Sequence, residues 1–251
     1  MIEQEQIRKQ VMPFGNGSIV YTPKAWIGRE VVITLPKRSL KEEILDFLLP
    51  SLENIQGIYL YGSHARNEQE EGSDIDILII ADEKFSIERK GFEISIVTKE
   101  GFIQNMQSNP FLVLIVKEAK PILNKKLLEE LKSSIPKHLD KSFVLETIRS
   151  VIKINEEFIS QENENFQNYA CIYSLMLRLR EMYMLKCIEK NISYHKKQFK
   201  EELKRKGISR PNTLYSIYQT IRNNQPAKNK IKKQEVEKLL SLLKHETQKK
   251  S

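Results

Sequence analysis

Asp74 and Asp76 stand two apart in the run Ser73-Asp74-Ile75-Asp76-Ile77-Leu78-Ile79-Ile80. The apolar, β-branched stretch reads as a strand, and residues two apart on a strand project to one face. The two carboxylates therefore project together, with Ile75 and Ile77 on the other side. Adjacent carboxylates repel one another unless a cation lies between them. Hard oxygen ligands of this kind suit Mg²⁺, which is held by a few carboxylates together with substrate phosphates; Mn²⁺ is the alternative ion. Shortly before them comes Gly62-Ser63, after an apolar strand and before a helix start. A glycine there lets a phosphate approach the backbone, and the Ser63 hydroxyl and the free N–H groups of the turn are donors for it. Arg66, one turn further, would add a bidentate clamp. A phosphate cradle beside a metal pair is what nucleotidyl transfer from a nucleoside triphosphate such as ATP requires.

The elements that must position these residues are legible from periodicity. In the segment 39–137, Ser39 is an N-cap with Glu42 as its capping-box partner. A helix with Leu40, Ile44, Phe47 and Leu48 at helical spacing stops near Pro50. Strands follow at 57–61, 74–80 and 92–97, then a helix from about Glu100 and an apolar run over 111–116. Residues 120–123 read as a short edge strand, and a helix starts at Lys125. The segment 138–251 shows only helical patterns. One contains Phe143, Ile148, Val151 and Ile152. Another, over 169–188, is apolar on much of its circumference and so expected to be central. The segment 1–38 carries a turn at Gly15-Asn16-Gly17-Ser18, a short strand at Ile19-Val20-Tyr21 and a second strand over 30–35 ended by Pro36. Such a β-hairpin module is too small to bury a core and must pack on the rest or on another copy.

The pattern Gly62-Ser63-x-Ala65-Arg66 followed by Ser73-Asp74-Ile75-Asp76 resembles the signature of the DNA polymerase β-like nucleotidyltransferase superfamily, especially its minimal archaeal and bacterial branch. The resemblance implies an α+β fold with a mixed-sheet palm, a two-metal mechanism with two Mg²⁺ ions, and nucleotide contacts from Gly62, Ser63, Arg66 and Ser73. It also implies a third carboxylate on the next core strand, for which Glu93 is the candidate. Asp74, Asp76 and Glu93 would then be the metal-binding and catalytic residues. Asn67 stands where the family often has glycine, and Glu93 where aspartate is frequent. Residues 11–36 resemble the strand-turn-strand unit of AbrB-type swapped-hairpin proteins, which implies a homodimer or an added nucleic-acid contact.

Composition narrows the partners. The net charge is +8, yet residues 186–251 hold 18 Lys and Arg against 6 Asp and Glu, while the remainder is slightly acidic. That asymmetry points to a polyanion at the C-terminal end. An all-α C-terminal domain presenting Lys196, Lys197, Lys200, Lys204 and Arg205 to an RNA 3′ end, tRNA-like in kind, fits the charge. A protein-modifying, AMPylating nucleotidyltransferase resembling antitoxins is the alternative, and a non-catalytic nucleic-acid-binding regulator is another. No apolar run approaches the roughly 18 residues that span a bilayer, and the polar, acidic start does not read as a secretory signal. The expectation is a cytoplasmic protein with no membrane contact. Cys171 and Cys187 sit in an apolar helical pattern and read as buried small hydrophobes.

Overall fold

A computed structural model describes residues 7–34 and 38–248. The chain divides between Phe47 and Leu48 into two compact units. In the first, β1 (Met12–Phe14) and β2 (Gly17–Ile19) form an antiparallel hairpin with Met12 opposite Ile19. Gly15, at φ +55°, takes the left-handed conformation the tight turn needs. A 3₁₀ turn follows at Lys24–Trp26. The hairpin therefore lies earlier than the sequence pattern suggests, and only Ile19 of the expected Ile19-Val20-Tyr21 strand is in it. The strand expected over 30–35 is not formed across residues 30–34, and Leu35 lies outside the described residues. Its β-branched residues find no ladder there: Val32 is 90% and Ile33 73% exposed. β-propensity expresses itself only where a partner strand is available. Then comes α1 (Leu40–Leu48). Its capping box is as expected: the Glu42 carboxylate accepts from Ser39 N–H at 2.8 Å, and the Ser39 hydroxyl accepts from Glu42 N–H at 3.2 Å.

The second unit is built on a four-stranded mixed sheet. Its elements run β3 (Ile55–Tyr61), α2 (Gly62–Ala65), β4 (Ile75–Ala81), β5 (Phe92–Thr98), α3 (Lys99–Asn105), α4 (Pro110–Glu118), β6 (Lys120–Leu123) and α5 (Lys125–Ser133). The strand order is β5-β4-β3-β6. β4 and β5 are parallel, and β3 is antiparallel to both β4 and β6. β4 is buried from Ile77 to Ala81, as expected of a central strand covered on both faces. The apolar run 111–116 lies inside α4, where Val113, Leu114 and Val116 are buried.

Five helices follow: α6 (Ser142–Gln161), α7 (Tyr169–Glu189), α8 (Lys196–Arg205), α9 (Pro211–Arg222) and α10 (Lys233–Gln248). The α+β class and the helical C-terminal region expected from the sequence are both present. A two-residue ladder between β7 (Asn165–Phe166) and β8 (Ile231–Lys232) is too short to leave a periodic signal. α7 packs against α4, α6, α9 and α10 and is the central helix its apolar circumference predicts. Phe143 departs from the pattern: it is 74% exposed, while Val144, Leu145, Ile148 and Ile152 fill the buried face of α6. One continuous core joins Tyr59, Leu78 and Ile80 of the sheet to α4, α5 and the C-terminal helices. Each fully buried aliphatic side chain contributes about 1.5–3 kcal/mol, so the sheet and the helical region are held as one body by this shared core. Among the described residues no helix is long and apolar enough to cross a membrane.

Candidate active site

The strand register brings the acidic residues together. Asp76 of β4 stands opposite Tyr61 of β3 and Glu93 of β5, so the three form one lateral row. Alternation places Asp76 on the face that Leu78 and Ile80 turn toward the core. The row is where that apolar face runs out at the sheet's edge. Asp76 is half-buried, whereas Asp74 and Glu93 are exposed. Burial pushes the Asp76 carboxyl up to about 6, and the neighbouring Glu93 adds to it; the charges of Arg222 and Arg66 pull the other way. Burial likewise pushes the Tyr61 phenol up.

Gly62 opens α2 at φ +69°. A Cβ at this position would lie 1.9 Å from Asp76 Oδ2 and 2.7 Å from its Cγ. Glycine is required here twice over, by the backbone and by the carboxylate that rests against it. The turn is then closed by Arg66 N–H to the Gly62 carbonyl at 3.2 Å and by Glu68 N–H to the Ser63 carbonyl at 2.9 Å. Asn67 adopts φ +57°, the left-handed conformation for which this residue type is suited. His64 Nε2 lies 3.3 Å from the Ser73 carbonyl and so ties the two halves of the signature together.

Arg66 is engaged by two carboxylates. Its Nη1 donates to Glu118 Oε2 at 2.6 Å and its Nε to Glu68 Oε2 at 3.1 Å. The other Glu118 oxygen accepts from Gly62 N–H at 2.9 Å. The Arg66 and Glu118 side chains are only about a tenth exposed. Glu118, at the C-terminal end of α4, therefore braces the turn and its arginine together. It also occupies one of the N–H groups that the sequence reading assigned to a phosphate. Ser63 and Ser73 both line the cleft. The Ser73 hydroxyl accepts from Glu70 N–H at 2.9 Å.

The cleft has a volume of about 390 Å³ and lies between this sheet end and the helices α7, α8 and α9. The loop that follows Arg66 is fastened to the helical side. Glu68 accepts from Lys196 N–H at 3.0 Å and lies 3.3 Å from His195 Nδ1. Glu70 pairs with the Lys196 ammonium and accepts from Gln219, and Lys196 is the chief reason its carboxyl sits below the usual range. On the helical wall, Arg180 donates from Nε to Tyr194 Oη at 3.1 Å and from Nη1 to Tyr218 Oη at 3.3 Å. The guanidinium carbons of Arg66 and Arg180 lie 5.1 and 5.2 Å from the centroid of the Tyr194 ring.

The basic residues of α8 stand in different surroundings. Lys196 lines the cleft and is paired with Glu70. The Lys200 ammonium lies 5.7 Å over the Tyr215 ring. Arg205 pairs with Glu202, and Lys197, Lys204 and Arg205 face solvent. Glu118, Arg180, Tyr194 and Arg222 all line the cleft, and sequence reasoning had not singled them out. The available signal was weak: a charged residue interrupting an apolar helix, as Arg180 does between Leu179 and Met182.

Among the described residues, no group of three or more His, Cys, Asp or Glu side chains is arranged to hold a metal ion as it stands. The donor chemistry nevertheless fits a hard divalent cation. Glu93 stands opposite Asp76 and disfavours its charge, which a cation between them would relieve. Cys171 and Cys187 are buried and take no part.

The chain is similar to several known proteins. Similar solved structures include a nucleotidyltransferase-like protein from Exiguobacterium sibiricum, at 16% identity over 84% of this chain and 76% of that one, with a TM-score of 0.39. Spectinomycin adenyltransferase AAD(9) from Enterococcus faecialis, solved with ATP and spectinomycin, is 16% identical over 82% of this chain and 97% of that one, with a TM-score of 0.45. A toxin-antitoxin structure with AMP-PNP is 15% identical over 49% of this chain and 97% of that one, with a TM-score of 0.29. No curated protein matches the sequence. The sequence profile of the family described as polymerase beta, nucleotidyltransferase matches residues 42–135. Over that span the chain carries a nucleotidyltransferase domain of the polymerase β superfamily.

Proposed function

We propose that the protein moves a nucleoside monophosphate from a nucleoside triphosphate to an acceptor hydroxyl. The observation that carries this reading is the Asp76 carboxylate, opposite Glu93 in the sheet, set directly against Gly62 at a position where no side chain fits. The triphosphate rests on the Gly62-Ser63 turn, with Ser73 beside it and Arg66 holding the turn in shape. Glu93, exposed at the strand end, receives the proton of the acceptor hydroxyl. The acceptor oxygen bonds to the α-phosphorus, the bond from that phosphorus to the bridging oxygen breaks, and pyrophosphate leaves. Asp74, Asp76 and Glu93 would hold two Mg²⁺ ions (or Mn²⁺), which would supply charge neutralisation at the phosphates and the acceptor.

For the acceptor, the charge of residues 186–251 and the solvent-facing Lys197, Lys204 and Arg205 support an RNA 3′ end. A second reading has a specific observation in its favour. Glu70, Glu71 and Asp74 also line the cleft, which suits a small cationic acceptor. Incubating the full chain with each α-labelled triphosphate, Mg²⁺ and separate RNA, protein and polyamine-like small-molecule fractions tests both. Label in RNA that disappears in D76N supports the first reading. Label in the small-molecule fraction alone replaces it with the second, and label in protein replaces both with protein modification. The N-terminal hairpin, with Val32 and Ile33 exposed beside it, supports self-association, and light scattering of the full chain would show a dimer if it does.

A further inference from the structure

We propose that Arg180 receives the polyphosphate tail of the nucleotide, so that the anion site is completed by α7 rather than by the turn alone. This rests on the reading of the cleft as a nucleoside triphosphate site. Its support is an imbalance in how the cleft's cations are used. Arg66 is neutralised by Glu118 and Glu68, and Lys196 by Glu70. Arg180 lines the same cleft, and among the described residues no carboxylate pairs with it. Its partners are the hydroxyls of Tyr194 and Tyr218 and the face of the Tyr194 ring.

A guanidinium withdrawn from water with no counter-charge is unfavourable unless something else supplies the charge. It is also permanently charged, so it cannot escape by losing a proton. The surroundings do not remove the charge; they aim it. Nε is taken by Tyr194 and one Nη1 proton by Tyr218, which leaves three of the five N–H donors, including both on Nη2. Two parallel donors on a fixed plane match two oxygens of a phosphate. The Tyr218 ring is itself stacked on Tyr173 at 5.4 Å, so the hydroxyl that holds Nη1 is fixed. The opposite wall needs such help, because Gly62 N–H is already given to Glu118. The same wall presents Asp76 and Glu93, which repel an anion unless a cation intervenes.

The test measures binding of inorganic tripolyphosphate, with equimolar Mg²⁺, to the full chain by calorimetry and by its effect on thermal unfolding. R180Q should weaken that binding by about 10- to 100-fold, the range of a lost hydrogen bond to a charged group. R180K, which keeps the charge without the fork, should lose less, and Y218F should lose about threefold by loosening the guanidinium. Adenosine affinity should not change. R180M without ligand should melt at or above the wild-type temperature, because a cation lacking a counter-charge has been removed. Tripolyphosphate affinity within threefold of wild type in R180Q overturns the proposal. So does a lowered melting temperature with affinity retained, which makes Arg180 structural. If R180Q and R180M do not fold, wild-type affinity in both R180K and Y218F overturns it equally. A wild-type protein that binds no tripolyphosphate overturns this inference and the nucleotide reading together. One that binds it through Arg180 but transfers no nucleotide overturns only the reading.

Discussion

The two walls of the cleft are incomplete in opposite senses. The sheet wall presents Asp76 and Glu93, carboxylates that crowd one another. The helical wall presents Arg180, whose charge is met by tyrosine hydroxyls. Elsewhere the molecule pairs its charges readily, as in Lys186–Glu202 and Arg210–Glu235. In the cleft, Arg66 and Lys196 are satisfied by carboxylates while Asp76 and Arg180 are kept from direct ion pairs. Stability alone would favour pairing them. The difference teaches that the cleft leaves opposite charges unmet on its two walls, which is what the proposed metal-bound nucleotide would satisfy.

Breaking the sheet wall should have the largest effect. D76N should reduce nucleotidyl transfer by about a thousandfold or more, since several kcal/mol of charge stabilisation are removed and each 1.4 kcal/mol is tenfold in rate. Its melting temperature should not fall, because a crowded carboxylate is relieved. Initial rates and thermal unfolding of the same preparation check both halves. A variant that transfers normally would remove the sheet wall from the chemistry.

Next comes the brace between the walls and the turn. E118A leaves Arg66 with only Glu68 and strands Gly62 N–H, so unfolding stability should drop by about 2–4 kcal/mol, as for other broken buried pairs. E118Q should lose less, because its amide oxygen still accepts one of the two bonds. Denaturant titration of the three proteins gives the order directly, and equal midpoints would mean that Glu118 braces nothing.

A smaller effect is expected where the charges are paired. Burial raises the Glu202 carboxyl, but Lys186, Arg205 and Lys206 outweigh it and bring it down to about 2. A carboxyl lowered in the folded state contributes stability that is complete above its ordinary value near 4.5 and is lost as pH falls toward 2. E202Q should therefore be less stable than wild type by about 1–2 kcal/mol at pH 7, after discounting for partial exposure. The gap should close between about pH 4.5 and 2. A gap that persists at acid pH would assign the effect to packing. Smallest of all, K204E should shift stability by no more than about 0.5 kcal/mol, as for other exposed positions. It should act only on RNA, by flattening the salt dependence of binding. A salt slope equal to that of wild type would leave the exposed lysines of α8 as solvation.

How far the sequence reaches follows from the distance over which each wall is assembled. Gly62, Ser63, Asp74 and Asp76 are joined by one strand-turn-strand unit, so spacing alone brings them together. Glu93 needs the parallel pairing of β4 with β5, which alternation and the family resemblance together supply. Glu118 and Arg180 come from helices, where a periodicity of 3.6 separates core from solvent but does not say which polar residue turns toward a distant loop. That Arg66 also pairs with Glu118 is not legible in the sequence, because the two are 52 positions apart. The strand expected over 30–34 failed for a related reason: Val31, Val32 and Ile33 have strand composition, but a ladder is a property of two segments.

The fastening of the signature loop to the helices also sets an order of events during synthesis. Glu68 and Glu70 meet Lys196 and Gln219 across sequence separations of 128 and 149. At about 5–20 residues per second, the loop leaves the ribosome roughly seven to thirty seconds ahead of α9. In that interval the carboxylates of the sheet end exist without the wall that faces them. The nascent loop has neither Lys196 nor Gln219 to hold it until α8 and α9 appear, so the cleft closes only after α9 has emerged. Truncations that stop before α8 should therefore lack the partners that hold the loop, and not form a smaller version of the same site.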